Sequence, residues 1–273
     1  MNPVLQLIDR LADGFNDLSC WKGSCRVWDL RMTSPTFERW LYLRVHGLGL
    51  MGREERRFLE AFVRPGMRIL DVGSNLGLYS VLMARRIGPT GRVLCFEPDP
   101  VLCATLRKNQ ELNQAANLDV HELALGAAPA ELELHRSITN SGDNHLGRQD
   151  SQLFRRTVTT RVVRLDDHLP GLAVDFIKID VQGWELAAFQ GMAGTLRANP
   201  GVGILFEFSK IGRSRAGCSG QDVVAFLRAE GLRIFAPADG RELDDAAVGR
   251  LARSLAANGY TNLFAGRRSP VSG

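Results

Sequence analysis

From residue 67 the chain alternates short apolar runs with amphipathic ones, a pattern that confines it to a mostly parallel sheet covered by helices on both faces. MRILDV (67–72) reads as a buried strand, and residues 77–87 as a helix whose turns are marked by Leu78, Val81, Leu82 and Arg85. RVLCFEP and LDVHELAL read as the second and third strands. The helix between them is opened by the proline and aspartate of PDPVLCATLRKNQELN. The alternation pauses at ELELHRS and TVTTRVVRLDD, two edge-like β segments flanking the turn-rich SITNSGDNHLGRQDSQ. It resumes with VDFIKIDV (strand), GWELAAFQGMAGTL (helix), VGILFEF (strand) and SGQDVVAFLRAEG (helix capped by Ser219 or Asp222), and closes on the strands LRIFA and YTNLFAG. The expected fold is therefore α/β, Rossmann-like, with a mostly parallel seven-stranded sheet.

The alternation begins late, so the chain divides into an N-terminal α/β extension over residues 1–52 and a domain over 53–273 with a β/loop insertion at about 130–163. In the extension, WDLRMTSPTFERWLYLRV suggests a strand or two; GREERRFLEAFVRPG then supplies a helix stopped by Pro65-Gly66. Leu5, Ile8, Leu11, Ala12 and Phe15 form an apolar stripe interrupted by Asp9, Arg10 and Asp13. That reads as a docked helix or a homodimer contact, not as a signal peptide or membrane anchor.

With 273 residues, 45% of them hydrophobic, the chain has ample core for this fold. A net charge of +4 with acids and bases interleaved provides no nucleic-acid stripe. The five cysteines, Cys20, Cys25, Cys95, Cys103 and Cys218, read as reduced thiols of a cytoplasmic protein, and neither they nor the histidines have metal-ligand spacing.

The turn after the first strand decides the ligand class. A dinucleotide fold reads GxGxxG, its second glycine admitting a pyrophosphate; here GSNLG puts Asn75 at that position, which argues against NAD. Asp71 at the strand's carboxyl end suits a cationic ligand. Glu97, ending the second strand, has two oxygens to accept both hydroxyls of a ribose.

In order along the chain, DVGSNLGLYS (71–80), FEPDP (96–100), NSGDN (140–144), LDD (165–167), KIDVQGWE (178–185) and FEF (206–208) resemble the FkbM group of class I S-adenosylmethionine-dependent methyltransferases, over roughly residues 50–235. The resemblance implies S-adenosylmethionine as cofactor and methyl transfer, usually to a hydroxyl of a sugar, polyketide or similar metabolite. It implies that Asp71, Gly73, Asn75 and Gly77 line the methionine end, that Glu97 holds the ribose, that Glu122 and Ala124 meet the adenine, and that Ser74, Tyr79 and Pro98 also bind the cofactor. Gln182 stands where many members of the group have glutamate.

Transfer to an alcohol also requires a proton acceptor. Asp180 at the end of the fourth strand, which also borders the cofactor, Glu207 in the fifth and His145 in the insertion are the candidates. Strand alternation puts Phe176, Lys178 and Asp180 on one face, so Lys178 needs a buried partner, with Glu207 and Glu185 as the candidates. Trp184 reads as core or as an acceptor wall. The expected ligands are S-adenosylmethionine and a small-molecule or glycan acceptor, without metal or nucleic acid. The competing reading is a degenerate methyltransferase fold serving as a binding module.

Overall fold

The structure, a computed structural model, describes residues 23–137, 145–146, 154–209, 218–256 and 259–271. The N-terminal apolar stripe, Cys20 and the NSGDN motif lie outside these residues. Within the extension, β1 (Cys25–Val27) and β2 (Leu30–Met32) form an antiparallel hairpin, followed by helix α1 (Phe37–Gly47) and helix α2 (Arg53–Phe62). The strand-like reading of residues 28–45 is corrected over α1. There Thr36, extended at φ −142°, accepts from Arg39 N with its hydroxyl and so starts a helix that β-branched and aromatic side chains had disguised.

The main sheet has seven strands: β3 (Arg68–Val72), β4 (Arg92–Phe96), β5 (Leu118–His121), β10 (Phe176–Ile179), β11 (Gly203–Ser209), β12 (Arg233–Phe235) and β13 (Tyr260–Gly266). Their spatial order is β12-β13-β11-β10-β3-β4-β5, all parallel except β13, which runs antiparallel to both neighbours. Crossovers leave β3 in both directions, towards β4 and, later, β10, so the carboxyl ends of β3 and β10 flank the topological switch point where ligands bind in open α/β sheets.

Helices α3 (Leu78–Ile87) and α4 (Pro100–Leu112) connect the first strands. Asp99 starts α4 by accepting from Val101 N and Leu102 N, ahead of Pro100 in the first turn. LDVHELAL divides: after β5 the chain leaves the sheet, and β6 (Ala124–Leu125) joins a second sheet of order β6-β9-β7-β8 with β7 (Ala130–Ser137), β8 (His145–Leu146) and β9 (Phe154–Val163). The end of the second edge-like segment is a short helix, α5 (Leu165–His168), instead of strand. The helix expected over 183–196 is two, α6 (Glu185–Gln190) and α7 (Ala193–Ala198), separated at Gly191, whose close approach to the Gly126 carbonyl leaves no space for a Cβ. Helix α8 (Gly220–Ala229) starts with a capping box in which Ser219 and Asp222 both take part. Helix α9 (Asp245–Ser254), not read from the sequence, is capped by Asp244.

The core of the main sheet has two halves, and a smaller cluster of Ala124, Leu134 and Val162 lies on the second sheet. The half under the extension contains Val27, Leu30, Met32 and Leu43 together with Ile69, Val81 and Val93. Helix α2 anchors there through Phe58 and Phe62, stacked at 5.4 Å, both contacting Phe176 and Phe264. Each such ring pair adds about 0.5–1.5 kcal/mol beyond its buried area. This anchoring fixes the face of α2 that carries Glu55. No helix among the described residues is long and apolar enough to cross a membrane.

Candidate active site

The turn after β3 is held by its neighbours. Gly73 N and Ser74 N both donate to Phe96 O, at 2.9 and 3.2 Å, and the Ser74 hydroxyl donates back to Asp71 O at 2.7 Å. Gly73 has φ +79°, and a Cβ there would stand 2.0 Å from the Asp180 carbonyl oxygen, so only glycine lets the ends of β3 and β10 meet. Gly77, at φ +86°, opens α3 and lies against Leu106. Asn75 is also left-handed, at φ 54°, a conformation that asparagine tolerates.

The Asn75 N–H donates to Glu97 Oε2 at 2.8 Å, and Asp99 N donates to Oε1 at 3.0 Å. Burial pushes Glu97 up to about 7 despite these two donors, which favour the ionised form. A carboxylate has about four lone-pair sites, so each oxygen retains one for a ligand hydroxyl. The Asn75 side chain accepts from Arg39 Nη1 of α1 at 2.7 Å, linking the extension to the turn.

Asp71 is buried to 1% exposure. Its Oδ2 accepts from Ser80 Oγ at 2.5 Å, whereas Oδ1 has no partner among the described residues. Burial raises its pKa, opposed by Lys178 and Ser80. The partner expected for Lys178 is corrected here: neither Glu207 nor Glu185 reaches it. Its Nζ lies 3.3 Å from Glu55 Oε1 and 3.9 Å from Asp180 Oδ2, and 5.1 Å from the centre of the Tyr79 ring. Burial works against the ammonium, but Glu55, Asp180 and Asp71 together outweigh it and hold the Lys178 pKa above its ordinary value. Sequence spacing could not reveal Glu55, which reaches the sheet from a helix preceding it.

Asp180 and Glu207 are joined by the Gln182 amide, whose Nε2 donates to Asp180 Oδ1 at 2.8 Å and to Glu207 Oε2 at 3.3 Å. Glu185 has a backbone role: Oε1 accepts from Val181 N and Gly183 N, holding the turn in which Gln182 and Gly183 both have positive φ. Burial pushes Glu185 up to about 7. Trp184 is half-buried against Ala124, Leu134 and Val162, and its indole N–H donates to Leu125 O at 3.1 Å; it also lines the cavity.

These groups open into one cavity of about 1350 Å³. Asp71, Gly73, Ser74, Asn75, Tyr79, Glu97, Pro98, Ala124, Asp180 and Glu207 all line it. Gly77 shapes the turn from behind. Glu122 is exposed, pairs with Arg107 at 3.8 Å and does not reach the cavity wall, which Leu123 and Ala124 occupy instead. The backbone of His145 lies in β8, but its side chain is outside the described residues. The wall also includes groups that sequence reading passed over. His46 from α1 is held by a 2.9 Å contact of Nδ1 with Tyr42 O, and burial lowers its pKa. Ala236, Pro237, Ala238, Arg241, Arg250 and Tyr260–Leu263 from the C-terminal elements line it as well.

Residues 71–234 match the methyltransferase FkbM domain, and the chain belongs to that family. Its cofactor is S-adenosylmethionine. The donor set fits: a buried Asp71 oxygen without a partner suits a cation, and Glu97 has acceptors for a diol. Among relatives, the chain is 30% identical over 144 residues to Methyltransferase 1 of Beauveria bassiana (45% of this chain, 57% of the relative). It is 29% identical over 161 residues to the 2-O-methyltransferase NoeI of Sinorhizobium fredii (52% and 63%). The match thus spans about three fifths of the length of these curated relatives. A solved fibrillarin from Aeropyrum pernix with bound S-adenosyl-L-methionine shares 17% identity over 75% of this chain and 68% of its own, at a TM-score of 0.44. That likeness is too distant to bear on function.

Proposed function

We propose that the protein transfers the methyl group of S-adenosylmethionine to a hydroxyl of a sugar, polyketide or related small metabolite. The observation that carries this reading is the cavity itself. Its roughly 1350 Å³ exceeds the ~300–1,000 Å³ of a usual single-ligand site, and its lining is mixed in chemistry. The strand-end turn contributes Asp71 and Glu97. Trp184, Tyr260 and the segments after β12 also line it and suit an acceptor with apolar faces. The name of the relative NoeI, a 2-O-methyltransferase, favours oxygen as the accepting atom.

S-adenosylmethionine supplies an already activated methyl group. What remains for the protein is alignment, exclusion of water and removal of the acceptor's proton. In this reading Asp71 faces the cofactor's positive charge and Glu97 takes the ribose hydroxyls. The Gln182 amide holds Asp180 and Glu207 side by side by donating to both, and either carboxylate is a candidate to take the proton of an acceptor hydroxyl.

The test is calorimetric titration of S-adenosylmethionine and of NAD into the full chain, followed by a methyl-transfer screen of sugar and polyketide alcohols. The expected outcome is binding of S-adenosylmethionine alone and methyl ether formation with at least one alcohol. Failure of the folded protein to bind S-adenosylmethionine would sink the reading.

A further inference from the structure

Lys178 poses an electrostatic problem. S-adenosylmethionine brings an ammonium and a sulfonium, yet the wall that must receive them already contains a buried protein ammonium at 4% exposure. Lys178, Asp71, Asp180, Tyr79 and Glu55 all line the same cavity. Asp180 Oδ1 accepts from Gln182, and Asp71 Oδ2 from Ser80, leaving Asp71 Oδ1 without a partner. The remaining carboxylate, Glu55, is the nearest to Lys178 at 3.3 Å and enters from α2, outside the strand-end turns. Glu55 is itself mostly buried, and the Phe58 and Phe62 stack holds its helix against β10, so the pair is built into the packing.

Resting on the reading of this cavity as the S-adenosylmethionine site, we infer that Glu55 is a positioning residue that sets the charge the cofactor meets. By pairing with Lys178 at 3.3 Å, closer than Asp180 at 3.9 Å, it offsets the ammonium's charge, so that Asp71 and Asp180 keep net negative charge towards the cofactor's positive groups. It thereby gives the site its preference for the sulfonium over S-adenosylhomocysteine, the neutral thioether that remains once the methyl has left. Without Glu55, the Lys178 ammonium competes for both carboxylates and repels the sulfonium directly. S-adenosylhomocysteine keeps the nucleoside and the amino-acid ammonium and loses only the sulfonium charge, so the ratio of the two affinities isolates that charge from general damage to the site.

The experiment is calorimetry of both ligands at pH 7.5 on the full chain, as wild type, Glu55→Gln, Lys178→Met and the double variant. Glu55→Gln is expected to lower the affinity ratio of S-adenosylmethionine to S-adenosylhomocysteine by at least on the order of tenfold, the size of one unit charge about 10 Å away at an effective dielectric constant of about 20. The double variant, which removes both members of the pair, is expected to restore the wild-type ratio. An unchanged ratio in Glu55→Gln, or a double variant as displaced as Glu55→Gln, overturns the inference. Should Glu55→Gln not fold, Lys178→Met decides: removal of the cation must leave the ratio level or raise it, and a fall overturns the inference. Wild-type protein that binds neither ligand overturns the cofactor reading itself, a result distinct from binding with an unmoved ratio.

Discussion

The two ends of the cavity are built differently. At the turn end, a few residues of the β3 turn and the β4 end satisfy one another through backbone N–H groups, with Asn75 and Asp99 donating to Glu97, and Gly73 and Ser74 to Phe96. At the charged end, the row of Glu55, Lys178, Asp180 and Glu207 is assembled from α2, β10, the loop after β10 and β11, elements remote from one another in the chain. The first end depends on local backbone geometry; the second depends on how helices pack. Substitutions should therefore fail in distinct ways, through backbone strain at one end and through charge balance at the other.

The strongest test of the first end is Gly73→Ala. A Cβ 2.0 Å from the Asp180 carbonyl, at a positive φ, must force β3 and β10 apart. We expect a loss of roughly 3 kcal/mol or more in urea unfolding, with cofactor binding abolished. A variant of near-normal stability would show that the junction is softer than its geometry indicates.

Glu97→Ala comes next, with about a hundredfold weaker S-adenosylmethionine binding by calorimetry, since two hydrogen bonds to a charged acceptor are lost. The same residue makes binding depend on pH. Its folded pKa, pushed up to about 7, lies above the unfolded carboxylate value, so its contribution to the stability of the free protein is fully present below about pH 4.5 and is lost as pH rises to about 7. Ribose hydroxyls favour the ionised form, so binding near pH 7 should release a proton. Calorimetry in two buffers of different ionisation enthalpy measures that release, and Glu97→Gln should abolish it.

At the charged end, Gln182→Glu places a third carboxylate against Asp180 and Glu207. Like-charge repulsion raises the folded pKa of the new group above its unfolded value, so stability is lost as pH rises through it. We expect about 1–2 kcal/mol of destabilisation at pH 8 that largely disappears at pH 5, read from thermal melts at both values. The smallest effect is Trp184→Phe, which removes the 3.1 Å hydrogen bond to Leu125 O, retains most of the packing and should cost about 0.5–1.5 kcal/mol.

The alternation after residue 67, the GSNLG turn, Asp71 and Glu97 were legible because each depends on neighbours within one strand–turn–helix unit. Strand period places Asp71 at the carboxyl end, and the turn chemistry follows at once. The split of LDVHELAL between two sheets, the break at Gly191 and helix α1 were not legible, since each is imposed by what packs beside it. Periodicity likewise made it clear that Lys178 must be buried and partnered, but not by which residue.

By itself, then, the sequence determined an α/β sheet of this type, the position of its strand-end turn and the placing of Asp71 and Glu97 at the carboxyl ends of their strands, because hydrogen-bond geometry and side-chain period act over a few residues. Only the tertiary structure decided that Glu55 pairs with Lys178, that Gln182 joins Asp180 to Glu207, and that His46 and the C-terminal segments line the same cavity as the turn. Those contacts depend on the packing of distant aromatic and apolar faces, and no local pattern encodes which charged groups that packing brings together.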